Sequence, residues 1–335
     1  MPVHDLSEGR AVLARVTEVA RSALARYPLS DEAEVTLISV SENATFRVDD
    51  PATGERAVLR VHRLGYHTDD AIRSELVWLS AVRDQEGVTT PRVLPATDGE
   101  PLVRVPDPDG GPARTCVMFE FLPGTEPPQD RLVEEFERLG EVTARMHRHA
   151  RAWRRPASFT RFHWDYDAAL GATSRWGRWR DGVGVTGEAA RLLSRLDREL
   201  RARLAGYGTG PERYGLIHAD LRLANLLVDG RDLGVIDFDD CGFGWYMYDL
   251  AAAVSFIEHD PRVPELIDAW ARGYRTVLEL PAEDEAEAWT FIMFRRLLLV
   301  AWVGSHQGAD IARTLGAAYT DGTCELAERY LSGGF

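Results

Sequence analysis

The residues best suited to chemistry are two aspartates and one asparagine in the segment 214–250. Asp220 follows the apolar run 215–217, Asn225 lies five positions later, and Asp237 ends a second apolar run. A carboxylate can orient an attacking hydroxyl group and accept its proton, whereas amide and carboxylate oxygens are the hard ligands that Mg²⁺ prefers. This combination favours phosphoryl transfer from ATP, with Asp220 beside the acceptor and the other two residues beside the metal.

A predicted hairpin positions two of these side chains. Residues 226–228 and 233–236 have the apolar pattern of strands, and an Asp-Gly pair between them has the chemistry of a tight turn. The two strands of a hairpin run in opposite directions. The residue just before the first strand therefore lies near the residue just after the second. The hairpin therefore brings Asn225 and Asp237 to the same end.

Three stretches of this segment together resemble a known family. They are H-A-D-L-R-L-A-N at 218–225, I-D-F-D-D at 236–240 and Y-D-L-A at 248–251. They resemble the aminoglycoside phosphotransferase and choline kinase family, nearest the branch of type II homoserine kinase and stress-response kinase A. The resemblance implies a protein-kinase-like fold and the cofactors ATP, or another nucleoside triphosphate, and Mg²⁺. The implied site comprises the catalytic base Asp220, the metal ligands Asn225 and Asp237, and the supporting residues His218 and Asp249.

Two more aspartates follow Asp237 where a protein kinase has glycine. Asp239 or Asp240 could make a supporting contact near the metal or act as a further ligand. The alternative is that either residue caps a helix predicted to start near Trp245. We assign Asp239 a supporting role and leave the alternative open.

The first part of the chain predicts the small antiparallel β lobe of a kinase. A helix is predicted over about 7–27, strands over 34–40, 44–48 and 56–61, and a second helix over about 68–84. Strands are also predicted at 102–105 and 115–121.

The resemblance implies nucleotide contacts in this lobe. In the family a basic residue on the third strand pairs with a helix glutamate, and the matching positions are Arg60 and Glu75. Protein kinases have lysine at the strand position, but a guanidinium also forks onto phosphate oxygens. The alternative is an ordinary surface ion pair. Further contacts are expected with phosphate at the turn 41–45, through Asn43 or Thr45, and with adenine through the main chain of Glu120, Phe121 and Leu122.

The boundary between lobes is expected after residue 122. This gives an N-terminal nucleotide-binding lobe over 1–122 and a C-terminal catalytic and substrate-binding lobe over 123–335. Helices are predicted in the second lobe over about 130–149, 186–204, 263–274, 284–303 and 311–330. The predicted class is α+β, a bilobal protein-kinase-like fold with a small antiparallel β-sheet lobe and a large, mainly helical lobe.

Two features of the second lobe are assigned to packing or to the surface. His147 and His149 lack partners at metal-ligand spacing and are expected at the surface or as helix caps. The apolar run 289–303 is interrupted by Arg295 and Arg296, so a core helix is favoured over a membrane span.

Composition limits the partners. The chain has 39 basic and 53 acidic residues among 335, a net charge of −14, which disfavours nucleic acid and favours a cationic acceptor. Three widely spread cysteines indicate reduced thiols in a cytoplasmic protein. We find no signal peptide and expect no membrane contact.

Four functions compete. We favour a kinase for the hydroxyl of a small molecule, with antibiotic, amino alcohol, sugar and nucleoside all open as acceptors. The main alternative is a protein Ser/Thr kinase of the stress-response kinase A type, but only about eleven residues separate Asp237 from Asp249, too few for an extended activation segment. A metal-dependent hydrolase needs more than one histidine ligand, and only His218 is present in the segment. A catalytically inactive scaffold is disfavoured because every recognised catalytic position is filled.

Overall fold

The computed structural model of the protein describes residues 3–40 and 43–335, and the side chains of the first helix from residue 11 onward. The chain divides into two compact units. The first comprises Met1–Ser80, Thr90–Pro123 and Ala157–Thr160, and the second comprises Ala81–Thr89, Gly124–Pro156 and Arg161–Phe335. The first unit carries an antiparallel sheet and the second is mainly helical, which confirms the predicted α+β class.

The first unit is built on a six-stranded antiparallel sheet. Its elements, in chain order, are α1 (Val3–Leu24), β1 (Glu34–Val40), β2 (Ala44–Asp50), β3 (Glu55–Val61), α2 (Asp69–Glu86), β4 (Val93–Leu94), β5 (Val103–Val105) and β6 (Arg114–Glu120). The residues of α2 from Ala81 onward belong to the second unit. The strand order is β1-β2-β3-β6-β4, and β5 pairs with β6. In the turn 41–45, Ser41 and Glu42 lie outside the described residues.

Side chains along each strand point alternately to the two sides of the sheet, so the sheet has two different faces. Ala57, Leu59 and Val61 of β3 are buried in an apolar core, which α1 covers with its side chains between residues 16 and 23. Arg60 points to the opposite face and pairs directly with Thr45 of β2. Because directly paired residues share a face, these two polar side chains are neighbours.

The second unit is mainly helical and carries two small antiparallel sheets. Its helices are α3 (Leu132–Ala152), α4 (Tyr166–Leu170), α5 (Gly187–Tyr207), α6 (Met247–Ala253), α7 (Val263–Arg275), α8 (Ala282–Glu285), α9 (Ala288–Ser305) and α10 (Asp310–Leu331). Its strands are β7 (Tyr214–Ile217), β8 (Leu226–Asp229), β9 (Asp232–Val235) and β10 (Gly242–Trp245). Strand β8 pairs with β9, and β7 pairs with β10.

The predicted hairpin is confirmed. Strands β8 and β9 pair antiparallel, and Gly230 in the turn has φ +59°, a left-handed conformation that glycine adopts without steric cost. Beyond the strands, the Ile236 N–H donates to the Asn225 carbonyl at 3.0 Å. The hairpin therefore ends with Asn225 opposite Ile236, the residue before Asp237.

Helix α9 is the predicted core helix. Its side chains from Thr290 to Val303 are buried, including both Arg295 and Arg296. The helical stretch Ala282–Ser305 is long and apolar enough to cross a membrane by length and composition, but 83% of its most apolar part is buried inside the protein. The burial accounts for the apolar composition without a membrane.

Two expectations are wrong. His147 and His149 are buried rather than on the surface, because α3 packs along α7 with its C-terminal turns enclosed. The helix expected to start near Trp245 is α6, which begins at Met247, but β10 lies between it and the two aspartates. Asp239 and Asp240 are separated from α6 by that strand, so neither residue caps it.

Candidate active site

Asp220 has both carboxylate oxygens hydrogen-bonded. Its Oδ2 accepts from the Asn225 side-chain amide at 2.7 Å and from Nε of Arg222 at 3.2 Å. Its Oδ1 accepts from Nη2 of Arg295 at 2.6 Å. Burial would raise the pKa of Asp220, but the charges of Arg222 and Arg295 outweigh burial and hold this pKa below its ordinary value. The carboxylate is therefore ionised at neutral pH, as a hydroxyl-orienting group has to be.

Asn225 and Asp237 offer oxygen atoms to a cation. The Asn225 amide nitrogen donates to the main-chain oxygen of Asp220 at 2.8 Å and to its Oδ2. With the amide hydrogens used in this way, the carbonyl oxygen faces away from Asp220. Asp237 follows β9 in the left-handed region, with φ 62° and ψ 67°, a conformation that costs a non-glycine residue about 1–3 kcal/mol and is typical of functional sites. One amide and one carboxylate oxygen fit Mg²⁺ held jointly with nucleotide phosphates.

Asp249 holds the loop that carries Asp220. Its Oδ2 accepts from the main-chain N–H of His218 at 3.1 Å, and its Oδ1 accepts from the N–H of Ala219 at 2.7 Å. Ala219 has φ +67°, so the residue before Asp220 is in a strained left-handed conformation. The two bonds from a fully buried carboxylate stabilise that conformation.

The His218 side chain links this loop to the hairpin. Its Nδ1 accepts from the Asp220 N–H at 3.2 Å, so its Nε2 carries the hydrogen and donates to the Ile236 carbonyl at 3.2 Å. Burial lowers the pKa of His218, which favours the neutral ring that this arrangement needs. His218 thereby connects the main chain of Asp220 with Ile236, the residue before Asp237.

His147 and Tyr274 extend the support behind Asp249. Nε2 of His147 lies 2.9 Å from Oδ2 of Asp249 and donates to it, because an ionised carboxylate only accepts. Nδ1 then accepts from the Tyr274 hydroxyl at 3.1 Å. Sequence reasoning missed both residues. The available signal was the position of His147 four residues after Thr143, on the apolar face of α3.

Arg295 is a third missed residue. Its signal was a charged side chain in the middle of an apolar run, because a core helix retains such a residue only when it is paired. Besides Asp220, it donates from Nη1 to the Tyr248 hydroxyl at 2.9 Å. A buried cation thus touches the carboxylate predicted to act on the acceptor.

Asp239 and Asp240 lie in a buried 3-10 turn, Phe238–Asp240. The Asp239 carbonyl accepts from Nη2 of Arg161, and the Asp240 carbonyl accepts from the indole N–H of Trp164 at 2.8 Å. These bonds fix the main chain just after Asp237. The role of the Asp239 carboxylate stays a prediction.

Arg60 and Glu75 form a buried ion pair in the first unit. Nη1 of Arg60 donates to Oε1 of Glu75 at 2.7 Å, and the two side chains are 8% and 0% exposed. The pair is therefore not the ordinary surface contact considered as the alternative. The Arg60 guanidinium also lies 4.9 Å from the centre of the Phe119 ring.

The remaining predicted nucleotide contacts lie in the same unit. Asn43 accepts at Oδ1 from the Arg63 N–H at 3.0 Å, so it orders its own loop. Glu120 ends β6, and its N–H donates to the Arg92 carbonyl at 2.8 Å. An adenine clamp here would therefore use the Glu120 carbonyl and the N–H of Leu122, which follows the half-buried Phe121.

Comparison with known sequences places the chain in a family. The sequence model of the phosphotransferase enzyme family matches residues 34–289, which span β1 to the start of α9. The protein belongs to this family. This phosphotransferase is 26% identical over 306 residues to amicoumacin kinase of Bacillus subtilis (strain 168), covering 88% of this chain and 86% of the relative.

Solved structures agree with this assignment. The phosphotransferase resembles the microcompartment-associated aminopropanol kinase with 50% sequence identity and a TM-score of 0.87, covering 94% of this chain and 98% of that one. It also resembles the structure of an amicoumacin kinase in complex with AMP-PNP, Ca²⁺ and Ami. The TM-score is 0.77 and the sequence identity is 22%, and the match covers 96% of this chain and 95% of that one. The predicted family and protein-kinase-like fold are confirmed, as is a phosphotransferase acting on a small molecule.

Two alternatives lose support. The segment from Asp237 to Asp249 is occupied by the 3-10 turn and by β10, which pairs with β7 from Gly242 opposite Ile217 to Trp245 opposite Tyr214. This segment is therefore a short turn and a paired strand and not a long loop. The hydrolase alternative loses support because the family model that matches is that of a phosphotransferase.

Proposed function

We propose that this phosphotransferase uses ATP and Mg²⁺ to phosphorylate the hydroxyl group of a small amino alcohol. The observation that carries the chemistry is the ionised Asp220 carboxylate, fixed at both oxygens and bonded to the Asn225 amide. The acceptor class is supported by the 50% identity to an aminopropanol kinase over nearly the whole of both chains.

In the proposed reaction the acceptor oxygen bonds to the γ-phosphorus of ATP while the bond from that phosphorus to the bridging oxygen breaks. ADP leaves, and the hydroxyl proton is released. Asp220 accepts the hydrogen bond of the acceptor hydroxyl, aims its oxygen at phosphorus and receives the proton as it leaves. Mg²⁺, when bound, neutralises phosphate charge, and Asn225 and Asp237 are the residues that would hold it.

The first unit supplies the proposed nucleotide contacts. Arg60, oriented by Glu75, binds phosphate oxygens as a rigid guanidinium fork. Thr45 lies beside Arg60 on the same face, and Asn43 orders the preceding turn. The Glu120 carbonyl and the Leu122 N–H meet the adenine edge. We place the protein in the cytoplasm, where ATP is available and the cysteines at 116, 241 and 324 stay reduced.

An acceptor panel tests the acceptor class. Purified protein is given ATP, Mg²⁺ and one acceptor at a time, and ADP release is followed for 1-amino-2-propanol, ethanolamine, choline, 1,2-propanediol, homoserine and amicoumacin. We expect the highest kcat/KM with an aminopropanol and release of one ADP for each phosphate ester formed. If only an antibiotic or a neutral polyol is turned over, the amino alcohol assignment is wrong while the phosphotransferase chemistry stands.

A further inference from the structure

We propose that Arg295 is a positioning residue that fixes the Asp220 carboxylate for transfer, an inference that rests on the proposed role of Asp220. Arg295 lies in the middle of α9, and its side chain is 2% exposed. Its Nη2 reaches Oδ1 of Asp220 at 2.6 Å, which is short for a charge-assisted hydrogen bond. The helix thereby reaches directly to the group that meets the acceptor.

The guanidinium is itself held on several sides. Nη1 donates to the Tyr248 hydroxyl at 2.9 Å and to the Ala219 carbonyl at 3.3 Å, and Nε donates to Oγ of Ser255 at 3.3 Å. Its central carbon lies 5.1 Å from the centre of the Trp176 ring. A planar group held by several directional bonds and a ring has one orientation, so Oδ1 of Asp220 is fixed as well.

Arg295 differs from the other partners of Asp220 in its position in the fold. Arg222 and Asn225 bond to Oδ2, and both lie on the same loop as Asp220, so they move with it. Arg295 belongs to α9, which packs against α6, the helix that carries Asp249. It also contacts Ala219, the left-handed residue whose conformation aims Asp220. Arg295 therefore ties both the side chain and the main chain of this loop to the helical core.

The next residue of the same helix provides a matched control. Arg296 is also buried, at 4% exposure of its side chain, and it bonds to Glu258 at 2.5 Å and to Oγ1 of Thr323 at 3.0 Å. Glu258 lies in the connection between α6 and α7, and Thr323 lies in α10, so neither contact leads to the Asp220 loop. Loss of Arg296 thus measures the cost of disturbing a buried arginine in α9 without touching Asp220.

The first test compares Arg295→Lys with Arg296→Lys. Lysine keeps the charge but loses the planar fork, so Arg295→Lys should lower kcat about 10- to 100-fold while the KM for ATP stays within about twofold. Arg296→Lys should lower the melting temperature by about as much as Arg295→Lys does, but it should leave kcat nearly unchanged. Tyr248→Phe removes one bond that orients the guanidinium and should give a smaller fall in kcat, which keeps the test decisive if both lysine variants unfold.

Chemical rescue supplies the second test. Arg295→Ala should recover part of its kcat when millimolar guanidinium chloride is added, but not with sodium chloride at the same ionic strength. Arg296→Ala should gain nothing from either salt. The proposal is overturned if Arg295→Lys and Tyr248→Phe keep the kcat of the Arg296→Lys control. It is also overturned if guanidinium chloride restores no more of the kcat of Arg295→Ala than sodium chloride does.

An Asp220→Asn variant separates this inference from the proposed function. Full turnover in Asp220→Asn would refute the role of Asp220, and with it the role of Arg295. Loss of turnover in Asp220→Asn together with a normal kcat in Arg295→Lys would refute the positioning role alone.

Discussion

At the scale of single residues, Arg60 and Glu75 form the buried pair that we propose binds nucleotide phosphate. Glu75 is fully buried, so its charge has to be compensated inside the protein. The 2.7 Å bond to Arg60 provides this compensation and fixes one side of the guanidinium. The guanidinium is thereby held in one orientation, as the proposed contact with phosphate oxygens requires.

The first prediction concerns this pair. Arg60→Ala should raise the KM for ATP about tenfold or more, because a charge-assisted hydrogen bond is lost, and should change the acceptor KM much less. Glu75→Ala should give a milder rise, since Glu75 orients the guanidinium without touching phosphate. Steady-state kinetics with each substrate varied in turn provide the measurement.

Arg73→Ala is the control for the Arg60 experiment. Arg73 lies on the same helix as Glu75 but is exposed and pairs with Glu100, so it should leave both KM values unchanged. Should Arg60→Ala and Glu75→Ala shift only the acceptor KM, the two residues line the acceptor site and not the nucleotide site.

The placement of the residues with obvious chemistry could be predicted, and their buried partners could not. The spacing of Asp220, Asn225 and Asp237 is local, so a motif and a hairpin turn were sufficient. Arg295 and His147 act through contacts distant in sequence, and each sits in an amphipathic or apolar helix whose pattern predicts only burial. Nothing in the pattern says which buried polar residue meets which partner.

At the scale of elements, the close packing of α3 on α7 supports the loop from behind. A Cβ atom on Gly140 would lie 1.9 Å from the Trp270 carbonyl oxygen, and one on Gly273 would lie 1.7 Å from the Glu137 carbonyl oxygen. The helix backbones are therefore in contact at these glycines. This close approach places Tyr274 of α7 within hydrogen-bond distance of His147 of α3, and His147 reaches Asp249.

The second prediction tests this contact with Gly140→Ala. The added methyl group meets backbone atoms that cannot move without separating the helices, so the free energy of unfolding should fall by about 1–3 kcal/mol or more. In Gly206→Ala, the matched change inside α5, the Cβ would meet no atom within 4 Å, and alanine is the better helix former. Chemical denaturation should therefore show Gly206→Ala unchanged or more stable. Equal stability of both variants would contradict the packing argument.

The third prediction concerns pH and His147. Burial lowers the pKa of this histidine, more than Asp249 raises it, while Tyr246 and Tyr274 pack against the ring and Arg151 opposes its protonation. The unfolded chain therefore binds the proton more readily than the folded one. The resulting stability is present above the ordinary pKa of about 6.5 and is lost as the pH falls toward the lower folded value.

Denaturation at pH 7.5 and pH 5.5 measures the contribution of His147. The free energy of unfolding of the natural protein should fall between these pH values by more than that of His147→Gln, which has no group that titrates there. Part of the fall should persist in the variant, because burial also lowers the pKa of His218. Identical falls in both proteins would show that His147 is not held neutral by folding.

The elements that sequence reasoning missed are short. Strand β4 has two residues, and β10 contains Gly242 and Gly244, which carry no apolar periodicity. A Cβ on Gly242 would lie 2.7 Å from the Phe162 carbonyl oxygen, so close packing against this main chain favours glycine there. Longer elements follow their hydrophobic period and were predicted to within a few residues at each end.

At the scale of the whole molecule, we propose that the net charge of −14 favours a cationic acceptor. Glu258, an acidic residue of the C-terminal third, is buried and paired with Arg296. Asp260 is likewise paired with Arg262, whereas Glu265 and Asp268 lie exposed on α7. Any effect on the acceptor therefore arises from the overall field and not from a dedicated row of carboxylates.

The fourth prediction separates this field from contacts in the site. For 1-amino-2-propanol, kcat/KM should fall as sodium chloride is raised, because salt screens attraction of the cation. For 1,2-propanediol, which has the same carbon skeleton without the charge, kcat/KM should be lower and should not depend on salt. A diol used more efficiently than the amine at every salt concentration would overturn the cationic preference.

The central claim is that Asp220 orients an acceptor hydroxyl for transfer from ATP, and phosphorus NMR of the reaction mixture tests it most directly. With the natural protein, ATP, Mg²⁺ and an aminopropanol, we predict a phosphate monoester resonance that grows in step with ADP. With Asp220→Ala, the rate of ester formation should fall by a factor of about 10² or more, while the nucleotide affinity measured by titration stays within about twofold. Ester formation at the normal rate in Asp220→Ala, or release of ADP and inorganic phosphate without ester in the natural protein, would contradict the account.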